Sequence, residues 1–227
     1  MFDFDTNTSE IFLYDDIGPA WMGMIDSSSV MAALKQMPTD APVTLRINSA
    51  GGSVDEAIAI YNAIKRHAGP VNVGIDSIAA SAASFIAMAG ENVFIAEGGA
   101  IMIHSPWTLA MGNATDLRKT ADVLDLYEDR LFSAYMGRMG KKYKDEDVRQ
   151  MLADETWFTA SEAVEAGLAD SVENIIAEPV AIAEGRYAKT PKMYLQRKDA
   201  GERTPYPHAR SRYKAIAARY NLTSKKK

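Results

Sequence analysis

The sequence predicts an α/β domain with right-handed crossovers, followed by a basic C-terminal tail. Two observations predict the domain. Short apolar runs of strand length alternate with segments whose apolar residues recur every three or four positions, which is how parallel strands joined by helices read. At 227 residues, with 47% hydrophobic side chains, the chain is long enough for one large domain plus an appendage and too apolar to remain unfolded. A third observation, charge, separates the tail. Residues 185–227 hold 13 Lys and Arg against only Asp199 and Glu202, a net +11, whereas residues 1–184 hold 12 basic and 28 acidic side chains, a net −16. The division expected is therefore a folded body, 1–184, and a tail, 185–227. Periodicity fades after about Ala177, Pro179 breaks the end of the body, and Pro191, Pro205 and Pro207 make the tail extended or disordered on its own, with a short helix near Tyr213 to Tyr220.

The elements follow in order. Ile11-Phe12-Leu13-Tyr14 is a short buried strand. Ser27 to Ser29 can cap a helix through Val30 and Leu34 that stops before Pro38. Residues 42–48 are β-rich and lead into Ala50-Gly51-Gly52, and a helix follows with Val54, Ala57, Ile58, Tyr61 and Ile64 on one face and Gly69 as its stop. Residues 71–77 form the next strand, residues 79–89 a helix of small residues closed by Gly90, and 92–96 and 101–104 two more strands. A long helix runs from its cap at Asn113 to about Arg138, with Leu117, Ala121, Leu124, Tyr127, Leu131 and Ala134 along one face.

Several chemistries are excluded at this level. The chain has no cysteine, so disulfides, thiolate metal sites and cysteine nucleophiles are absent, and a reducing cytoplasm is the expected setting. It has no phosphate loop and no dinucleotide fingerprint. Its three histidines do not pair at metal-ligand spacing, so zinc or non-haem iron is not expected. No run approaches the ~18 apolar residues of a membrane span, and the start Met1-Phe2-Asp3-Phe4-Asp5 does not read as a secretory signal.

Four places could carry chemistry. His104 emerges where the apolar strand Ile101-Met102-Ile103 becomes a loop, a position well placed for a cleft, although a satisfied strand-end histidine is the more ordinary reading of this context alone. His67, after Lys65-Arg66 at a helix end, and His208, in the tail, read as structural or solvated. Asn48-Ser49-Ala50-Gly51-Gly52-Ser53 joins a strand to a helix; its glycines either let backbone amides approach a developing oxyanion or simply make the turn. Ser81 stands after a strand among Ala79, Ala80, Ala82, Ala83 and Ser84, as a nucleophile would, although close helix packing also explains the small residues. Asp154 and Glu155, either of which could orient an imidazole, precede Thr159 and Glu162, whose spacing is that of a capping box.

Together these segments resemble the Clp proteolytic subunit family, ClpP. Residues 47–54 resemble its oxyanion loop, Ala79-Ala80-Ser81 and the residues to Gly90 its nucleophile helix, Met102-Ile103-His104-Ser105-Pro106 its histidine segment, and residues 159–170 the stretch after its acid. The resemblance covers roughly residues 10–175. Details such as Ile11 to Ile17, Ser84 and Glu155-Thr156-Trp157 are most similar to ClpP-like proteases of phages and prophages, which implies a role in capsid maturation. It implies the ClpP/crotonase-like fold of repeated β-β-α units with a long protruding helix. It also implies a serine endopeptidase that works through an acyl-enzyme, with no metal or cofactor required, inside a homo-oligomeric chamber with sevenfold rings and protein or peptide substrates. Carried over by position, Ser81 is the nucleophile, His104 the base, and Gly52 and Ala82 the oxyanion-hole amides. The family's aspartate falls on Glu155, with Asp154 as the alternative acid. Ala50 stands where a proline is usual. Only about nine residues precede the first expected strand, so an ATPase unfoldase is not an expected partner. The tail suits an acidic partner, or nucleic acid as the alternative. Two other readings of the whole chain are an inactive ClpP-like structural subunit and a crotonase-like acyl-CoA enzyme.

Overall fold

The computed structural model describes residues 2–174, 182 and 185–195. The first two strands, β1 (Phe2–Asp5) and β2 (Glu10–Leu13), form an antiparallel hairpin in which Phe2 faces Leu13 and Phe4 faces Ile11. The residues expected to precede the first strand are thus themselves a strand. Only four residues separate the pair, and Asp5 turns the chain by accepting from the Asn7 amide at 2.8 Å. Next comes α1 (Ser27–Leu34), whose cap is Asp26 rather than one of the serines: its carboxylate accepts from the Ser29 amide at 2.8 Å. Then follow β3 (Val43–Ser49) and α2 (Val54–Arg66), the latter capped by Ser53, with Asp55 and Glu56 in its first turn and Lys65 and Arg66 in its last, where the helix dipole favours them. His67, not Gly69, is the residue that ends α2.

The chain continues through β4 (Val71–Ala80), α3 (Ala82–Ala87), β5 (Val93–Ala96) and β6 (Ala100–Ile103). After α4 (Ala114–Met139) come α5 (Asp145–Ala153), β7 (Thr156–Thr159), α6 (Ala160–Ala166) and β8 (Ser171–Glu173). The expected capping box is present at α6, where Thr159 accepts from the Glu162 amide and Glu162 from the Thr159 amide.

Strands β2, β3, β4, β5 and β8 lie parallel in that order, with β1 at the edge. β4 does two jobs. Its residues Val73–Ile75 pair with β5, and its residues Ile78–Ala80 pair with β6, which in turn pairs antiparallel with β7. Between these halves the register with β3 slips, from Ile47 opposite Ile75 to Ser49 opposite Ala79. Such a bulge re-aims a strand, and this one lies just before Ser81, where β4 ends beside β6. Ala79 and Ala80 are therefore strand residues, not the start of a helix. Pairing with Ile101 and Met102 outweighs alanine's helix preference.

One apolar core joins the sheet to α1, α2, α3, α6 and the end of α4. In α4 only Leu131, Phe132, Tyr135 and Met139 are buried; Leu117, Val123 and Leu126 on its first half are exposed, so the helix protrudes. A second, smaller cluster groups Ala50, Ile78, Ala80, Ala100 and Met102 with Trp157 and with three residues from far along the chain, Ile182, Tyr187 and Tyr194. The first part of the expected tail thus packs on the body. The helix expected near Tyr213 and the solvated role expected for His208 lie outside the described residues.

Candidate active site

Ser81 ends β4 and precedes α3 with φ 55° and ψ −124°. Among the described residues only three that are not glycine have positive φ, and two of them, Ser81 and Glu155, are candidate site residues. Backbone strain of this kind persists only where surrounding contacts fix it. Here they do: the Ser81 amide donates to the Met102 carbonyl at 2.9 Å, and its carbonyl accepts from Ser84 Oγ at 2.7 Å. Ser84 is fully buried, reaches the Met102 carbonyl at 2.8 Å, and shares a hydrogen bond of 2.8 Å with the Tyr135 hydroxyl. This buried polar knot ties the turn at residue 81 to β6 and to α4.

His104 lies just beyond β6, and its Nε2 is 2.7 Å from Ser81 Oγ. The pairing of β4 with β6 explains the contact: Ala80 is opposite Met102, and Ser81 and His104 follow the ends of these two neighbouring parallel strands. Burial pushes the imidazole below its ordinary value of 6.5, and the Glu155 carboxylate acts in the opposite direction. The imidazole is therefore neutral at pH 7 and able to accept the Ser81 proton.

The glycine loop lies directly against this turn. A Cβ on Gly51 would meet the Ala80 carbonyl oxygen at 2.4 Å and the Ala82 nitrogen at 3.0 Å, and one on Gly52 would meet the Ile17 carbonyl oxygen at 2.0 Å. Both have positive φ, 89° and 149°. Only glycine permits this approach. Behind the loop, Ile17 donates to the Gly51 carbonyl at 3.0 Å and accepts from the Ser53 amide at 2.8 Å. Among the described residues the Gly52 and Ala82 amides take no part in turn, cap or loop hydrogen bonds.

The two acids differ. Asp154 ends α5 with its side chain exposed. Glu155 accepts from Trp157 Nε1 at 3.2 Å, the Ala188 amide at 2.7 Å and the Lys189 amide at 2.6 Å. Its charge acts on His104, yet none of its hydrogen bonds comes from the imidazole. Ser81, His104, Gly51 and Ala82 are thus brought together, and Glu155 stands beside them with its carboxylate engaged elsewhere. His67 is separate: its Nδ1 lies 3.1 Å from the Gly69 carbonyl oxygen at the end of α2.

Sequence reasoning missed Tyr135, Arg186 and Tyr187. The Tyr187 ring meets the His104 ring edge-on, with centroids 5.4 Å apart and planes at 83°. Its hydroxyl donates to the Ala50 carbonyl, and burial raises the phenol's pKa while Arg186 and Ser81 pull it down. Residues 185–195 have no periodicity to betray burial; two tyrosines in a polar stretch are the only local sign.

The Clp protease family model matches residues 6–175. ATP-dependent Clp protease proteolytic subunit 1 of Protochlamydia amoebophila (strain UWE25) is 33% identical over 141 residues, which span 60% of this chain and 68% of that protein. The protein of the same description from Chlamydia abortus (strain DSM 27085 / S26/3) is 33% identical over 135 residues, 58% of this chain and 69% of that one.

Proposed function

Because the chain belongs to the Clp protease family, we propose that it is an active serine endopeptidase with Ser81 as nucleophile and His104 as base. The observation that carries this reading is the 2.7 Å contact between His104 Nε2 and Ser81 Oγ, beside an imidazole kept neutral by burial. As Ser81 Oγ attacks a peptide carbonyl, its proton passes to His104 Nε2 and a C–O bond forms. The Gly52 and Ala82 amides receive the oxyanion. The C–N bond then breaks, the leaving amine takes the proton from His104, and water activated by the same imidazole hydrolyses the acyl-enzyme. Glu155 stabilises the imidazolium formed along the way.

The same proposal includes assembly with further copies into a closed chamber, expected as sevenfold rings. Exposed Trp107, Leu109 and Met111 before α4, and Leu117, Val123 and Leu126 on it, support this, because exposed apolar patches mark interaction surfaces. A role in capsid maturation, in the cytoplasm, completes the reading.

A fluorophosphonate probe tests the chemistry. The label is expected on Ser81, with labelling and peptide hydrolysis both lost in Ser81→Ala while assembly is kept. Label on Ser77 or Ser84 would move the nucleophile. An assembled particle that neither labels nor hydrolyses peptides would be a structural subunit, and turnover of CoA thioesters would indicate the crotonase-like alternative.

A further inference from the structure

Residues 185–195 run across the mouth of the Ser81–His104 pair and contact each of its parts. Arg186 Nη1 clamps both Asp16 carboxylate oxygens at 2.8 and 2.7 Å, and its Nη2 reaches the Gly51 carbonyl at 3.3 Å. Tyr187, only 8% exposed, sits between the glycine loop and the imidazole, with its ring against those of His104 and Trp157. Ala188 and Lys189 donate their backbone amides to Glu155 and help to line a cavity of about 340 Å³ whose other walls include His104, Ser105 and Asp154. Beyond them Tyr194 stacks on Trp157, and its hydroxyl donates to the Gly98 carbonyl at 3.0 Å.

A substrate peptide must reach the face that Tyr187 covers. The residues beneath it, Ala50, Ile78, Ala80, Ala100 and Met102, form an apolar floor suited to an aromatic side chain. The acid that would face His104 has instead three other donors, two of them from this segment. Occupation of the cleft and engagement of Glu155 therefore come from one short stretch of chain.

We propose that residues 185–195 are a cis-acting inhibitory strap: Tyr187 fills the subsite for an aromatic substrate side chain, and Ala188 and Lys189 hold Glu155, so that turnover requires the strap to lift. The proposal rests on the serine-peptidase reading of the same site. The Arg186–Asp16 pair is the latch. Its side chains are 27% and 33% exposed, so breaking it disturbs the core little. A charge-assisted pair of this kind shifts an open–closed balance by about tenfold.

The test uses the full chain. Arg186→Glu is compared with wild type for the rate of fluorophosphonate labelling at Ser81 and for kcat/KM on a small peptide carrying phenylalanine or tyrosine. Labelling and kcat/KM about tenfold higher in Arg186→Glu, brought back to wild-type values by adding Asp16→Arg, are the expected result. Equal rates, or slower ones in Arg186→Glu, would overturn the strap while leaving the serine-peptidase reading in place. No labelling or hydrolysis in either protein would overturn that reading, and the strap with it. Hydrogen exchange on the wild-type chain gives a second measurement that needs no variant. Saturation with a phenylalanyl phosphonate peptide should expose the Ala188 and Lys189 amides, and unchanged protection would overturn the proposal.

Discussion

The ring of Tyr187 meets the ring of His104 edge-on at 5.4 Å, across 83 positions of sequence. The imidazole thereby has Ser81 on its Nε2 side, an aromatic wall against its ring, and the charge of Glu155 close enough to oppose the effect of burial. The consequences can be measured one by one.

The two acids should rank clearly. Glu155 acts on His104, whereas Asp154 is exposed and meets the strap through its carbonyl, which accepts from Lys189. Glu155→Gln is expected to lower kcat/KM by ~10³-fold or more, as loss of the group that orients a base does. Asp154→Asn is expected to stay within a few-fold of wild type. The reverse ranking in steady-state kinetics would transfer the role to Asp154.

The pH profile follows from the direction of the His104 shift. Burial lowers its value below 6.5, so kcat/KM should rise with pH along an acid limb below that value and be level by pH 7. Removing Glu155 removes the opposing effect, so the limb in Glu155→Gln should move to still lower pH. Stability carries the same sign. Because the native imidazole binds its proton less readily than the unfolded one, its contribution is complete above 6.5 and is lost as the pH falls through the lowered value. Thermal unfolding of wild type and His104→Gln should therefore converge at acid pH.

The knot beneath the nucleophile should cost stability and rate together. Ser84→Ala takes the hydroxyl partner from the fully buried Tyr135, a loss of about 1–3 kcal/mol for a buried group, while the Ser81 and Met102 carbonyls keep their backbone donors. Tyr135→Phe removes both the hydroxyl and its need for a partner, and leaves Ser84 Oγ a carbonyl to donate to, so urea unfolding should show the smaller loss. A rate unchanged in Ser84→Ala would mean that the strained turn at Ser81 does not need this support.

At the glycine loop, Gly51→Ala places a methyl 2.4 Å from the Ala80 carbonyl oxygen at a φ of 89°. The loop must then retreat from Ser81, and a drop in kcat of about 10²-fold is expected, as for loss of an oxyanion donor. Gly98→Ala is the control, with nothing within 4 Å of the added carbon; its activity and stability should be unchanged.

The rest of the tail should act on partners, not on chemistry. Residues 196–227 hold ten Lys and Arg against Asp199 and Glu202. Deleting them should leave hydrolysis of small peptides intact and weaken capture of an acidic protein partner, with added salt weakening that capture in the full chain. Loss of small-peptide hydrolysis on this deletion would tie the segment to the enzyme itself, and salt-sensitive binding of nucleic acid instead of protein would identify the other partner.

Much of the fold is legible because its signals are local. The α2 helix shows itself by apolar spacing and a serine cap, α4 by its long stripe and Asn113, and α6 by Thr159 and Glu162. The start of α3 is not legible, because Ala79 and Ala80 carry helix preference while their pairing with β6 makes them strand. The α5 helix and the β1 strand also lack a signal strong enough to read alone.

The site divides along the same line. The sequence by itself determined which residue types stand in order: the glycine pair, Ser81 after a strand, His104 after another, and Asp154 and Glu155 before a capping box. These are local chemical choices, readable because each fixes a turn or a strand end. Only the tertiary structure decided that β4 pairs with β6 to place Ser81 2.7 Å from His104. It alone also brings Arg186, Tyr187, Ala188 and Lys189 back onto Asp16, His104 and Glu155. Contacts between residues 33 to 170 positions apart leave no periodic trace in either segment. They arise because the apolar floor beside the site is covered by Tyr187 and Tyr194 and because the half-buried carboxylates of Asp16 and Glu155 accept from donors that only this segment brings, and both requirements are met only once the chain has folded.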